Sequence, residues 1–264
     1  MAARPSCRLR VVRGLRSRRP AYQPAESEAV GISAVAAHPA YIVRFRKDLA
    51  TPGLRIPLTA DAAIFHDAAE LGRRVVWLHS FGERFADTPN GRPSGPPRLP
   101  AGRRPLVPKG HAIPSDSAGM PDVMAYDASA QGLIVGSGCI EPVPPAVWHY
   151  EVSGKQVLTQ WFSYRRKTRD RPIIGDRRPP SPLGDIQPDA WPAEYTTELL
   201  NLLNVLGLLI DLEPAAAALL DRICAGALLD ATEMRKKGLF ADALTPRHKA
   251  AGQPQGPDLF THLD

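Results

Sequence analysis

Proline is the residue that most restricts how this chain can fold. The sequence holds 28 prolines in 264 residues, about twice the usual share of roughly 5%. Because proline fixes its backbone φ angle and has no N–H to donate, it interrupts helices and sheets. The sequence therefore predicts short elements joined by stiff loops. With 44% apolar residues, the chain is also long enough to bury a core.

The prolines and the apolar runs divide the chain into four parts. We expect residues 1–30 to form a disordered basic tail, because they contain no compact apolar stretch. Residues 31–188 are expected to form a mixed α/β (α+β) domain with a small mixed or antiparallel sheet and flanking helices. A helical hairpin over residues 189–228 should pack on this domain, and residues 229–264 should form a frayed tail.

Helical spacing is visible in the first third of the chain. Tyr41 and Phe45 stand at i,i+4 in a short predicted helix. Residues 59–61 can cap a second helix, which we expect to end at Gly72. The apolar run over residues 75–81 fits either a buried strand or the end of a helix.

The middle of the chain reads as a loop followed by short strands. Residues 91–118 are rich in Pro, Gly, Ser and Arg, which predicts a projecting loop that packs no core. The strand candidates are Val123–Tyr126, Leu133–Val135 and Val147–Val152, with a tight turn at Gly136-Ser137-Gly138.

The leucine-rich segment 191–226 predicts the helical hairpin, with Pro214 opening its second helix. Four small or polar residues form a stripe along it: Asn201, Asn204, Gly207 and Asp211. No apolar run reaches the ~18 residues of a membrane span. The three widely spaced cysteines favour reduced thiols. We expect a soluble, cytoplasmic protein that does not act at a membrane.

The net charge of +6 comes mainly from the N-terminal segment. Residues 1–20 contain seven arginines, and the rest of the chain carries 26 basic against 27 acidic residues. Within that remainder, residues 92–109 hold five basic and no acidic groups, and residues 155–178 hold eight against two. Such segregation can place a positive potential on one face, whereas incidental loop charges would be solvated and have no function.

No segment carries a complete catalytic or cofactor-binding motif. Gly136-Ser137-Gly138 begins like a dinucleotide fingerprint, but the third glycine is missing and prolines follow where a helix is required. His79 and Ser80 lack the Gly-x-Ser-x-Gly elbow of a hydrolase, so we interpret His79 as structural and keep a small hydrolase as a minor alternative. No His or Cys pair has metal-ligand spacing. We therefore expect no enzyme activity, no metal and no cofactor.

The segment from Val147 to Lys167 is the most informative one. Its sequence is Val-Trp-His-Tyr-Glu-Val-Ser-Gly-Lys-Gln-Val-Leu-Thr-Gln-Trp-Phe-Ser-Tyr-Arg-Arg-Lys. We interpret it as a strand, a tight Ser-Gly corner and an amphipathic helix over residues 155–166. A rigid element that ends in long cationic side chains suits phosphate or base-edge contacts. Alternatively, these cations only complement the negative end of the helix dipole.

Five motifs, of which this segment is the fourth, follow one another in a specific order. The others are His38-Pro39-Ala40-Tyr41, Arg55-Ile56-Pro57-Leu58-Thr59, Trp77-Leu78-His79 and Ser181-Pro182-Leu183. In this order they resemble the C-terminal part of type ISP, or LlaBIII-type, restriction-modification enzymes, over about residues 31–228. In that family one long polypeptide carries nuclease, motor, adenine-methyltransferase and target-recognition parts, and the matching region belongs to the recognition end.

The resemblance implies that this region contacts double-stranded DNA. The preferred contact residues are Tyr164, Arg165, Arg166 and Lys167, with Lys155 as a second choice. Because the family's N-terminal parts are missing, we expect either a gene fragment or a free-standing specificity piece that works with a separately encoded methyltransferase or nuclease. A truncated protein-interaction or vestigial scaffold, which docks on a methyltransferase partner through its leucine-rich hairpin, is the alternative.

Overall fold

The computed structural model describes residues 24–51, 55–167, 189–230 and 232, and it has the expected mixed α/β architecture. Its helices are α1 Pro24–Ala36, α2 Pro39–Arg44, α3 Arg46–Leu49, α4 Ala62–His79, α5 Pro145–Trp148, α6 Val157–Ser163 and α7 Ala193–Ala225. Its strands are β1 Met124–Asp127, β2 Gly132–Val135, β3 Gly138–Ile140, β4 Glu151–Val152 and β5 Lys155–Gln156. Two 3₁₀ turns occupy Thr88–Asn90 and Ala101–Arg103.

Helix α1 corrects the prediction of a tail over residues 1–30. The helix begins at Pro24, a residue suited to a first helical turn, and its second half packs along α4. Gly72 allows this approach, because a Cβ there would lie 1.8 Å from the Val30 carbonyl oxygen. Val30, Ala34 and Val35 in this half of α1 are buried, and Ala34 and Val35 lie in one core with Ala68 of α4. The predicted tail over residues 1–23 lies outside the described residues.

Helix α4 begins as predicted and ends later than predicted. The Asp61 carboxylate accepts the N–H groups of Ala63 and Ile64 at 2.8 and 3.1 Å, which caps the first turn. Gly72 does not end the helix. Its lack of a side chain instead allows α1 to pack closely against α4 at this position. Residues 75–79 are therefore the last turns of α4, which resolves the strand-or-helix ambiguity of this run.

The small sheet is antiparallel, with strand order β1-β2-β3. Leu133 pairs with Tyr126 on one side and Ile140 on the other, and Leu133 and Ile140 are fully buried. The first two predicted strands are confirmed to within a residue or two. The third is shorter than predicted, because α5 occupies residues 145–148 and only residues 151–152 pair with β5.

The loop over residues 91–118 does not project, which corrects a second prediction. Leu99 is 2% exposed, and its N–H donates to the Asn204 side-chain oxygen at 2.8 Å. Ile113 also reaches the core, and Arg103 pairs with Asp211. The loop lies along the polar stripe of α7, which explains why a buried helix carries asparagine and aspartate.

Helix α7 replaces the predicted hairpin. It runs without interruption through Pro214, because its leucines pack in two hydrophobic cores and hold both halves in one line. Its first half lies in core 1, with the sheet, α5 and α6, and its second half in core 2, with α1, α2 and α4. By length and hydropathy α7 could also cross a membrane, but its apolar residues are those that fill the two cores.

Candidate nucleic-acid interface

The predicted strand-corner-helix unit exists as the β4–β5 hairpin followed by α6. Ser153 and Gly154 form its corner with φ angles of 53° and 74°, and glycine adopts this left-handed conformation at no steric cost. Lys155 follows the corner and is exposed. The predicted helix over residues 155–166 is shorter, at residues 157–163, because Lys155 and Gln156 pair with β4 instead.

Helix α6 is anchored by its apolar face. Leu158 is fully buried and Phe162 is 5% exposed, and both lie in core 1. Phe162 packs against Trp191, which precedes α7. The residues that follow α6 are therefore presented from a fixed base.

Residues 164–167 share one segment but have different surroundings. Tyr164 is 68% exposed. Lys167 is also exposed, and its backbone N–H donates to the Pro121 oxygen at 2.8 Å, which ties the segment to the loop before β1. Arg166 is half-buried, and its N–H donates to the Phe162 oxygen at 3.0 Å.

Arg165 is held by internal contacts. Its guanidinium lies 4.2 Å from the centre of the Trp161 ring and 5.3 Å from that of Tyr195. One nitrogen pairs with Glu198 at 3.0 Å, and another donates to the Trp161 carbonyl. Cation–π contact and an ion pair together fix the side chain against α7. This geometry suits a residue that positions its neighbours.

Lys155 and the 164–167 segment lie at opposite ends of α6. The helix has seven residues, which corresponds to a length of about 10 Å. The structure thus brings Tyr164, Arg166 and Lys167 together and separates Lys155 from them. The basic residues 169–178 lie outside the described residues, as does the motif at 181–183.

The first basic stretch, residues 92–109, serves the fold. Arg92 is 3% exposed, pairs with Glu70 and Asp87, and donates to the Phe85 oxygen. The remaining arginines of the stretch also have partners within the chain: Arg98 bonds to Asn201, Arg103 to Asp211 and Arg104 to the Leu99 oxygen. Lys109 is exposed. Carboxylates therefore balance the charges of Arg92 and Arg103, whereas Arg98 and Arg104 are held by neutral acceptors.

Glu70 shows the effect of these bonds on a carboxylate. Its partial burial alone would raise its pKa, but the hydrogen bonds from Arg92 and Arg73 outweigh that effect and hold the pKa below its ordinary value. The buried Arg92 charge is thus balanced by an ionised partner.

Sequence reasoning missed a second pair of cations, Arg46 and Lys47. Both are exposed and make no hydrogen bond or ion pair with the described part of the chain. They begin α3, four residues after Ile42 and Val43 of α2, which are 52% and 77% exposed. The adjacent apolar and basic residues over 42–47 are a signal that could have drawn attention to this stretch.

The geometry of His79 and Ser80 does not support the alternative of a small hydrolase. The Ser80 hydroxyl donates to the Trp77 oxygen at 3.3 Å and accepts the Arg84 N–H at 3.0 Å, so backbone groups occupy it. His79 is exposed at the end of α4. Among the described residues, no cluster of His, Cys, Asp and Glu could hold a metal ion.

Comparisons with known proteins give two similarities. The family model of the type ISP C-terminal specificity domain matches residues 32–202, well over half of the chain. A search of curated proteins found no match. Among solved structures, a nuclease-deletion mutant of the type ISP restriction-modification enzyme LlaGI in complex with a DNA substrate mimic is similar, with 17% identity and a TM-score of 0.43. The alignment covers 75% of this chain and 13% of that protein.

Proposed function

The chain belongs to the type ISP C-terminal specificity domain family, and from this premise we propose that it recognises a target in duplex DNA and catalyses no reaction itself. The observation that carries the proposal is the segment after α6, where exposed Tyr164 and Lys167 follow a helix whose apolar side chains Leu158 and Phe162 are buried in core 1. A rigid base keeps the entropy cost of DNA binding low, because few rotatable bonds lose their freedom when the contact forms. The same segment was preferred from sequence.

Some of the proposed contact residues would contribute affinity, and others would contribute specificity. Lys155 and Lys167 carry exposed ammonium groups at either end of α6, which suits two separate phosphates. Tyr164 offers a phenolic hydroxyl and a ring that can reach a sugar or a base edge. Arg166 adds charge beside them. Arg165, although predicted as a contact, acts in this proposal by holding the segment against Trp161 and Glu198.

A methyltransferase or nuclease subunit is the partner that we propose for this chain, because a recognition domain without catalysis of its own needs an enzyme to act on the recognised target. We propose that the chain works in the cytoplasm as the specificity part of such a restriction-modification system.

Salt dependence of DNA binding tests this function. We expect the chain to bind a duplex pool with an affinity that falls as salt rises, and the triple variant Lys155→Gln, Arg166→Gln and Lys167→Gln to bind more weakly. Each lost phosphate contact should reduce the slope of log K against log salt by about 0.9. Lys109→Gln, an exposed lysine on another loop, is the matched control. Absence of duplex binding at low salt would refute the proposal, and an unchanged slope would refute the contact residues.

Protein docking is the second candidate function, favoured by the exposed Ile42 and Val43. Two β-branched side chains beside the cations Arg46 and Lys47 suit an acidic, apolar partner surface. Under this alternative, the double variant Ile42→Asp and Val43→Asp should abolish association with a methyltransferase subunit. Its duplex affinity should remain unchanged. Retained association would rule this surface out.

A further inference from the structure

The small sheet buries one face and exposes the other. Side chains alternate along a strand, so Leu133 and Val135 point into core 1, while Ile134 points away from it and is 38% exposed. Across the sheet, Ile134 pairs with Ala125 of β1 and Cys139 of β3, which are half-buried. Sheet faces in layered folds are normally covered by helices. In the described part of the chain, helices cover the inner face and leave Ile134 accessible on the outer one.

Three apolar side chains form a diagonal row across this outer face. Val123 extends β1 by one residue, because its oxygen accepts the Gly136 N–H at 2.9 Å, and alternation puts its side chain on the outer face. Leu106 stands directly opposite Glu141, just after β3, and the two exchange backbone hydrogen bonds of 3.0 Å. Val123 is 65% exposed and Leu106 is 51% exposed. With Ile134 between them, they give the sheet an apolar surface.

Two carboxylates lie at one end of this row. A Cβ at Gly132 would lie 3.2 Å from the Cys139 sulfur and 4.0 Å from a Glu141 carboxylate oxygen, so both side chains lie over Gly132 on the outer face. Asp127 pairs with Gly132 from the opposite strand. Burial, Glu141 and Asp127 together raise the pKa of the Cys139 thiol, which agrees with two negative charges close to it.

Both carboxylates keep their charge uncompensated by the described part of the chain. One Asp127 oxygen accepts from the Ser129 hydroxyl and N–H and from the Ala130 N–H, and these bonds hold its pKa below its ordinary value. All three donors are neutral, so the negative charge remains. Glu141 is half-buried and has no ion pair with a described residue. A cation from outside this part of the chain would therefore meet two unneutralised carboxylates.

We propose that the outer sheet face, formed by Leu106, Val123, Ile134, Asp127 and Glu141, binds a basic amphipathic helix of a partner protein. From residue 106 to β1 the sheet is about 14 Å wide, and a strand of four residues is about 13 Å long. This area accommodates about two turns of a helix, which is about 10–12 Å across. The apolar stripe of the helix would cover the row, and its lysines or arginines would pair with the two carboxylates.

Charge argues against the other large classes of occupant. Residues 110–154 contain five acidic residues and no lysine or arginine, so this face repels the phosphates of DNA and of anionic lipids. A second copy of the chain would bring two such acidic surfaces together. Lys109, in the turn after Leu106, is exposed and makes no ion pair with Asp127 or Glu141.

A helical peptide tests this face without any DNA, so the result does not depend on the proposed function. The probe is a peptide of about 18 residues of Ala, Leu and Lys with its leucines on one helical face. One counterpart has Glu in place of each Lys, and another has Ser in place of each Leu. We expect the wild-type chain to bind the first peptide about 10-fold or more tightly than either counterpart. Binding should also slow the alkylation of Cys139, followed by mass spectrometry, because the helix would cover that thiol.

Two variants assign the binding to this face. Leu106→Gln with Val123→Thr and Ile134→Thr removes the apolar row, and Asp127→Asn with Glu141→Gln removes the charges. Each variant should weaken binding of the basic peptide by about 5-fold or more. Asparagine retains the side-chain oxygen that accepts the N–H groups of the turn at position 127.

Val152→Thr and Glu151→Gln are the matched controls, because both side chains are exposed on β4, away from the outer sheet face. They should leave peptide binding unchanged. Preference for the acidic peptide, no binding of the basic one, or full affinity in both face variants would overturn the inference. So would a bound peptide that leaves Cys139 alkylation unchanged. Self-association that is lost in the apolar variant would assign the face to a second copy instead. Resistance of Cys139 to alkylation in the free chain would assign it to another segment of this chain.

Discussion

At the residue scale, the surroundings of each arginine decide what it does. Arg92 and Arg165 both lie in basic runs of the sequence, yet the first is buried between two carboxylates and the second lies over a tryptophan ring. Lys155 and Lys167, from the same kind of run, are exposed. Residue type therefore sets the charge, and the neighbouring elements determine whether that charge is available to a partner.

Replacement of Arg92 by Met should destabilise the fold. The change removes two ion pairs and a bond to the Phe85 oxygen from a side chain that is 3% exposed. Because both carboxylates are partly solvated, we expect a loss of about 2–3 kcal/mol in the free energy of unfolding, below the upper range for buried pairs. Urea unfolding measures it. Arg103→Met, which breaks the exposed pair with Asp211, should cost about 1 kcal/mol or less.

Acid should weaken the same cluster. The pKa of Glu70 is lowered in the folded state from its ordinary value of 4.5, so its stabilising contribution is complete above that value. It is lost as pH falls through the lower, folded pKa. We expect the wild-type chain to lose stability on acidification more steeply than Arg92→Met, as measured by urea midpoints at several pH values. Parallel pH curves would contradict this coupling.

His38 should give a pH dependence of its own. Its side chain is 5% exposed, and neither ring nitrogen has a hydrogen-bond partner among the described residues. Burial lowers its pKa below 6.5 in the folded state. As pH falls below 6.5, only the unfolded state gains the proton, so stability declines until the folded pKa is passed. His38→Phe should remove this decline and add about 1 kcal/mol at neutral pH. Exposed His66→Phe is the control, and an unchanged slope in His38→Phe would exclude His38 as the source.

At the element scale, short elements depend on what flanks them. Strands β4 and β5 have two residues each and exist because the Ser153-Gly154 corner sets their register. Helix α5 begins with Pro145 at its first position, and the Asn204 side chain holds the loop over residues 91–118 against α7 by accepting the Leu99 N–H. The abundance of proline predicts short elements, and most elements of this fold are short. Helix α7, which contains Pro214, is the exception.

Pro214 should weaken α7 locally. Within the helix it removes one backbone hydrogen bond, and it is exposed, so it contributes little packing. We expect Pro214→Ala to raise the free energy of unfolding by about 1–3 kcal/mol. Pro192→Ala, at the N-cap position, should bring no such gain. A loss of stability in Pro214→Ala would contradict this expectation.

At the scale of the whole molecule, two hydrophobic cores are joined by α7, and α4 also contributes residues to both of them. Core 1 contains or contacts all four tryptophans, Trp77, Trp148, Trp161 and Trp191. Core 2 contains Leu219, Leu220 and Ile223 from the last turns of α7, packed with α1, α2 and α4. The proposed DNA segment rests on core 1, and the exposed apolar pair Ile42 and Val43 lies beside core 2.

The shared helix should make the two cores unfold together. Leu220→Ala creates a cavity in core 2 and should cost about 2–5 kcal/mol. We expect the tryptophan fluorescence transition, which reports on core 1, to shift to lower urea by the same free energy. Val43→Ala, at an exposed position, should shift it by about 0.5 kcal/mol or less. A tryptophan transition that does not move in Leu220→Ala would mean that the cores unfold independently.

Sequence reasoning succeeded where the physical signal is local. The first two strands, the short helix that contains Tyr41 and ends before Phe45, the cap at Asp61 and the Ser-Gly corner all follow from spacing or turn chemistry within a few residues. It failed at α1, at the 91–118 loop and at Pro214, because each of these depends on contacts with distant residues.

The sequence by itself determined the fold class, the strand-corner-helix unit and the family, because these depend on short-range patterns and on motifs in a fixed order. Only the tertiary structure decided which charges are available. Burial and ion pairing over long sequence separations, such as Arg103 with Asp211 and Arg165 with Glu198, neutralise some basic residues and leave Lys155 and Lys167 exposed. Such pairings depend on where whole elements pack, and no local pattern along the chain encodes that.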